Sequence, residues 1–266
     1  MFHHDKKPRD ESAPKRRLRV LTLNIQVGMQ TEHYRHYFTG MWRHVLPSRG
    51  VRSNLDRIAE LASDYDVVAL QECDAGSLRT QQLNQVEYLA SSAGFTHWQA
   101  AINRDLKPFA RHCLGFLSRY PLHEVRHHPL PGRIPGRGAL QAELRLDAHA
   151  PLRLVVTHLA LNREARTRQL DYLGGLAIPD ADTATQDTVI LGDLNCEPQE
   201  LREHQRLRAA GLTPAHAEPT FPSWRPTRSI DHVLSTAGVS IVRTQVLDNR
   251  LSDHLPVATE IVLRPN

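Results

Sequence analysis

The chain has 266 residues, is 40% apolar and carries a formal net charge of +4. That length suits one large domain or two small ones with a sizeable core. No apolar run reaches the roughly 18 residues of a membrane span, and residues 1–20 are charged rather than signal-like, so a cytoplasmic monomer is expected.

The positive excess hints at a nucleic-acid partner. However, residues 1–19 hold seven Lys or Arg against three acids, so the whole excess sits there and the remainder is balanced. Residues 1–17 therefore read as a disordered basic tail and 18–264 as a single domain. The three cysteines, Cys73, Cys113 and Cys196, are odd in number and form no CxxC pair. Neither a disulfide framework nor a structural zinc site is expected.

In chain order, residues 18–25 alternate loosely and predict a strand. The segment 28–50 is aromatic and basic, with Tyr34, Tyr37, Phe38, Trp42 and Arg43, and reads either as a flap over a site or as a packed surface element. Residues 53–63 predict a helix capped by Ser53, with Leu55, Ile58, Leu61 and Ala62 on one face. The run Val67-Val68-Ala69-Leu70 predicts a strand buried on both faces over 66–71. A helix follows over 82–93, then strands over 96–102, 114–118, 139–146 and 152–158. A helix over 163–177, a strand over 188–191 and a helix over 199–210 come next. Strands over 230–235, 239–247 and 257–263 close the chain, and the Pro- and Gly-rich segments 129–138 and 214–226 are loops. Strands and helices mix without a regular βαβ beat, which predicts mixed sheets in an α/β or α+β arrangement.

Polar residues recur where the apolar strands stop. They are Asn24, Gln71-Glu72, Thr157-His158, Gly192-Asp193-Leu194-Asn195, Asp231-His232 and Ser252-Asp253-His254. One such residue is ordinary strand punctuation. Six groups suggest a shared cleft, because strand ends on one rim converge. Glu72 and Asp253 with the amide oxygen of Asn24 suit Mg²⁺ or Mn²⁺, which take hard oxygen ligands. Asp193 suits the activation of water, and His254 a hydrogen bond to a phosphoryl oxygen with Asp231 holding its ring. His158 is a second candidate acid or electrostatic stabiliser. No HExxH zinc motif occurs. The doublets His3-His4 and His127-His128 read as surface residues.

This ordered set resembles the endonuclease/exonuclease/phosphatase superfamily, over residues 18–263. Gly192-Asp193-Leu194-Asn195 and Ser252-Asp253-His254 are its most specific pieces. The stretches Leu117-Ser118-Arg119-Tyr120-Pro121 and Thr220-Phe221-Pro222-Ser223-Trp224 also resemble small bacterial members. The resemblance implies a four-layer sandwich, two stacked mixed β-sheets flanked by helices, and metal-assisted attack of water on phosphorus. It implies Glu72 as the main metal ligand with Asn24 and Asp253 nearby, and Asp193 as the water-activating carboxylate. It further implies Asn195 as a positioning amide, His254 at the scissile phosphate oriented by Asp231, and His158 as the second histidine. Arg137, Asn162 and Trp42 are candidate substrate contacts. One departure stands out: small members often carry a Gly-Asn-Ala-like stretch where this chain has Cys113-Leu114-Gly115-Phe116, so an amide near the substrate is missing.

The expected activity is hydrolysis of a phosphate ester, with a small-molecule or lipid-headgroup phosphodiester favoured by the balanced charge. A nuclease is the alternative and would bind with steep salt dependence. A membrane surface is a further possible partner, without a spanning segment. A binding module that has lost turnover is the third reading, opposed by the intact carboxylates, which are costly to keep together without a metal.

Overall fold

The computed structural model describes residues 16–29, 49–133, 135–146, 149–178 and 187–263. Most of the tail, most of the 28–50 segment including Trp42, and His3-His4 lie outside the described residues.

Twelve strands among the described residues form two six-stranded sheets. The first contains β1 (Arg17–Asn24), β2 (Val67–Asp74), β3 (His97–Leu106), β4 (Ala110–Ser118), β11 (Ser240–Val246) and β12 (Val257–Val262), in the order β11-β12-β1-β2-β4-β3. The second contains β5 (Leu122–Pro129), β6 (Gly138–Leu144), β7 (Leu152–His158), β8 (Asp187–Asp193), β9 (Thr213–Pro214) and β10 (Asp231–Ser235), in the order β5-β6-β7-β8-β10-β9. Each sheet has one parallel pair near its middle, β1 with β2 and β7 with β8, and its other pairs are antiparallel.

Side-chain alternation divides each strand between two faces. Leu18, Val20, Val67, Ala69, Leu154, Val156, Val189 and Leu191 fill the layer between the sheets. Leu21, Leu23, Val68 and Leu70 point the other way, under helices α1 (Arg49–Ala62) and α2 (Gln85–Ser92). Val155, Ile190 and Leu234 pack against α3 (Arg163–Ala177), α4 (Pro198–Glu203) and α5 (Gln205–Ala209). The result is the expected four-layer sandwich.

Several element boundaries differ from expectation. Helix α1 begins at Arg49, so Ser53 lies inside it rather than at its cap. Buried Asn54 ties this helix down by donating to the carbonyls of Gly28 and Leu251, contacts distant in sequence. Helix α2 starts later than expected, because the Asn84 side chain accepts from the backbone N–H groups of Val86 and Glu87. The helix expected over 199–210 is broken at His204, whose backbone is extended. Strand β5 was not expected. It is an edge strand with a mostly solvent-facing pattern, so it lacks the apolar signal of the central strands.

Candidate active site

The polar stops of the sequence meet because of strand direction. Strands β1, β7 and β8, each a member of its own sheet's parallel pair, end at Asn24, His158 and Asp193. Antiparallel β10 begins at Asp231, and β12 begins just after Asp253 and His254, so these residues reach the same rim. His158 lies opposite Asp193 in the ladder, and Asp193 opposite Asp231.

Glu72 arrives there by a different route. Between Leu70 and Cys73 the register with β4 shifts, because Leu70 pairs with Gly115 and Cys73 with Cys113. This extra residue is a β-bulge, a device that re-aims side chains. Val68, Leu70 and Cys73 all face the helices. Glu72 instead takes φ +53 and turns across to the second sheet, with Oε1 3.7 Å from His158 Nδ1. Asn195 also has positive φ, at +54, and Gly192 has φ +140. A Cβ at Gly192 would lie 2.0 Å from the Thr157 carbonyl oxygen, so the glycine is required for β8 to approach β7.

Asp193 is the hub. Its Oδ2 accepts from Asn24 Nδ2 at 3.2 Å and lies 3.3 Å from His158 Nε2, while Oδ1 accepts from the backbone N–H of Asn195 at 3.0 Å. His254 Nε2 is 3.8 Å from the same Oδ2. On the other side of that ring, Nδ1 donates to Asp231 Oδ2 at 2.8 Å. Thr220 Oγ1 donates to Asp231 as well, at 2.5 Å, and Phe221 packs on the imidazole with centroids 4.9 Å apart. Ser252 donates to the Asn24 carbonyl and accepts from the His254 N–H, fastening the last loop to β1.

Burial and charge tune this cluster. Burial pushes Asp193 up to about 7, with Asp231 and Glu72 adding to the rise and His254 and the Asn195 N–H opposing it. Relative to an exposed aspartate, its ionised form is disfavoured on the order of a thousandfold. Burial likewise raises Asp253 to about 6, with Glu72 and Asp231 adding and His254 opposing. Burial alone would lower His254, but Asp231, Asp193 and Asp253 outweigh it and hold the ring well above the usual histidine range. His158 is lowered well below that range by burial, then by Arg137, His254 and His112. Two imidazoles on one carboxylate are thus pushed apart, one charged and one neutral.

A divalent ion fits this donor set. Asp253 Oδ1 is buried without a hydrogen-bond partner, an expensive state that a cation would relieve. Asn24 Oδ1 accepts from the Gln26 N–H at 3.1 Å, and the Glu72 side chain is 35% exposed. A second grouping, Asp193, Asp231 and His254, offers ligand atoms within 4.8 Å of one another and could also hold an ion. His254 is less suited as a ligand, because its Nδ1 proton is committed to Asp231 and its ring favours the charged form.

The rim opens on a cavity of about 570 Å³ lined by Glu72 and His158 on one side, with Arg137 and Asn162 among its other walls. Arg137 is half-buried; burial lowers its pKa, while the charges of Glu72 and Asp193 act in the opposite sense. Asn162 lines the cavity, but its Oδ1 is engaged as the cap of α3, accepting from Ala165 N–H at 3.0 Å. Asn195 Nδ2 donates to the Leu159 carbonyl at 3.0 Å. Thr220 is the residue that strand-end logic missed. It lies in a Pro-rich loop with no apolar run before it, and its function appears only once the loop packs against Asp231.

The sandwich and its carboxylate–imidazole rim define a class of phosphate-ester hydrolase folds. The sequence profile described as the endonuclease/exonuclease/phosphatase family matches residues 21–254, and the chain belongs to that family. No curated protein sequence matches significantly. Among solved structures, an endonuclease/exonuclease/phosphatase from Beutenbergia cavernae superposes with a TM-score of 0.70 at 22% identity, over 94% of this chain and 72% of that one. A mannosyl-6-phosphatase of Bacteroides thetaiotaomicron gives 0.69 at 17% identity, over 92% and 99%. ANGEL2, a 2′,3′-cyclic phosphatase solved with adenosine-2′,3′-vanadate, gives 0.67 at 16% identity, over 94% and 96%. These likenesses concern the fold.

Proposed function

We propose that this protein is a divalent-metal-dependent hydrolase of a compact phosphate ester, with Mg²⁺ or Mn²⁺ as the ion. The observation that carries the reading is that Asn24 donates to Asp193, that Asp193 lies 3.8 Å from His254 Nε2 and that His254 is hydrogen-bonded to Asp231, on a rim shared with Glu72. Glu72, Asp253 and Asn24 would hold the ion, which supplies Lewis-acid stabilisation of charge developing on the phosphoryl oxygens. Asp193, with a pKa near neutrality, is placed to take a proton from the attacking water. Asn24 and the Asn195 N–H hold that carboxylate in place. The charged His254 offers Nε2–H to a phosphoryl oxygen, a preorganised donor aimed where negative charge grows. Asp231 fixes the ring, and Thr220 fixes Asp231. His158, kept neutral, contributes a donor beside Glu72 and Asp193. Arg137 contributes the positive charge nearest the substrate.

The limited size of the cavity, about 570 Å³, and the balanced charge outside the tail support a small-molecule or headgroup ester over a polynucleotide. One structural neighbour is described as a mannosyl-6-phosphatase, which points the same way. The test is a hydrolysis screen with Mg²⁺ or Mn²⁺ over aryl phosphates, sugar phosphates, inositol phosphates, lipid headgroup esters, RNA and plasmid DNA. Metal-dependent turnover is expected on a compact ester, and Asp193→Ala or His254→Ala should each lower kcat by about a thousandfold with the fold retained. Wild-type turnover in either variant defeats the assignment.

A further inference from the structure

The cavity beside the rim holds more positive charge than a single scissile phosphate needs. Arg137 feels the fields of Glu72 and Asp193 and so belongs to the reacting end. Arg104, Arg133 and Arg168 line the same cavity. The side chains of Arg104, Arg133 and Arg137 make no ion pair or hydrogen bond among the described residues. Arg168 has only the exposed Glu164 at 3.2 Å, and Glu164 is the one carboxylate besides Glu72 on the cavity wall. Guanidinium groups are built to fork onto phosphate or carboxylate oxygens.

A neutral donor joins them. His112 lines the cavity, and Arg79 Nη2 lies 3.4 Å from its Nδ1. A guanidinium can only donate, so Nδ1 is the acceptor and the ring proton resides on Nε2. Arg79 is itself held by the fully buried Asp74, at 2.6 Å, and that carboxylate also accepts from Ser77, Thr80 and the Arg111 backbone N–H. Cys113 and Leu114, at the place of the missing amide, face the same cavity.

We propose that the wall formed by Arg104, Arg133 and Arg168, with His112, is a subsite for a second anionic group on the substrate, such that the preferred substrates are compact molecules bearing two phosphates. The inference rests on the phosphoesterase reading above and narrows its substrate class. A cavity of about 570 Å³ accommodates one ligand of that size.

The test compares Mn²⁺-dependent kcat/KM on sugar and inositol bisphosphates with that on p-nitrophenyl phosphate, in the wild type and in the double variant Arg104→Gln/Arg133→Gln. Calorimetric binding of inorganic pyrophosphate to the metal-free proteins is measured alongside, with melting curves to confirm folding. The wild type should prefer the bisphosphates, and the variant should lose about tenfold of that preference, through KM, and about tenfold of its pyrophosphate affinity. An unchanged preference or an unchanged pyrophosphate affinity overturns the subsite, as does a higher kcat/KM on a short single-stranded oligonucleotide. If no ester is hydrolysed but pyrophosphate binding weakens as expected, the subsite stands and the hydrolase reading fails. If esters are hydrolysed without any preference, the reverse holds.

Discussion

At the sheet rim, Asp193 is contacted by Asn24, by the Asn195 backbone and by His158, and His254 is fixed by Asp231. In the adjoining cavity, the side chains of Arg104, Arg133 and Arg137 have no such partners among the described residues. Asp193, Asp231 and His254 are held by protein partners, with Asp253 Oδ1 left open, so the geometry around Asp193 exists before a substrate arrives. The cavity leaves charged donors open, so its geometry is completed by what binds. On the proposed reading, such a division separates the machinery for a reaction from the surface that selects its substrate. The first is built on strand ends with little freedom, and the second on loops and a helix start.

The sharpest way to break the rim is through its backbone. Gly192→Ala would set a Cβ 2.0 Å from the Thr157 carbonyl oxygen at a φ of +140. A destabilisation of about 4 kcal/mol is expected, roughly a 10 °C fall in Tm by calorimetry. A melting temperature within a degree or two of wild type would show that β7 and β8 can separate freely.

The charges of the rim predict a smaller, pH-dependent effect. Asp193 and His254 have folded pKa values above their unfolded ones, so each binds protons more tightly in the native state. Their stabilisation is present at low pH. For Asp193 it is lost as pH rises through about 7, and for His254 as pH rises above 6.5 through its raised value. His158 acts in the opposite sense but only below 6.5, because its folded pKa is depressed. Above pH 6.5 the metal-free protein should therefore lose stability, and Mg²⁺ or Mn²⁺ should restore it by binding the native state. Denaturant melts with and without metal between pH 6.5 and 8.5 check this, and a metal-insensitive Tm would count against the ion site.

The smallest effect is at the edge of the relay. Thr220→Val removes one donor to Asp231 while leaving the His254 bond intact. A loss of about tenfold in kcat is expected, far short of the loss in Asp193→Ala. Equal losses in the two variants would mean that Thr220 does more than orient Asp231.

Much of this was legible in the chain. The apolar runs ending in Asn24, Thr157-His158 and Gly192-Asp193 marked strand ends, because a central strand needs apolar side chains on both faces and can become polar only at its rim. The 152–158 strand and the 163–177 helix lie where periodicity put them. Glu72 was legible as a strand-end carboxylate, but not the bulge that turns it toward His158, since a bulge depends on register with β4. Edge strand β5 and the break at His204 were hidden for a related reason: local composition carries little record of what packs alongside.

The sequence by itself determined the layered fold, the family and the residue types at the reacting end, because alternation, strand-end chemistry and motif order are local properties. Tertiary structure decided which of those residues touch. It turned Glu72 across to His158, placed Thr220 behind Asp231, and gathered arginines from a hairpin, a loop and α3 around one cavity. Those pairings join residues far apart in the chain, and only the packing of the two sheets and their loops sets such distances.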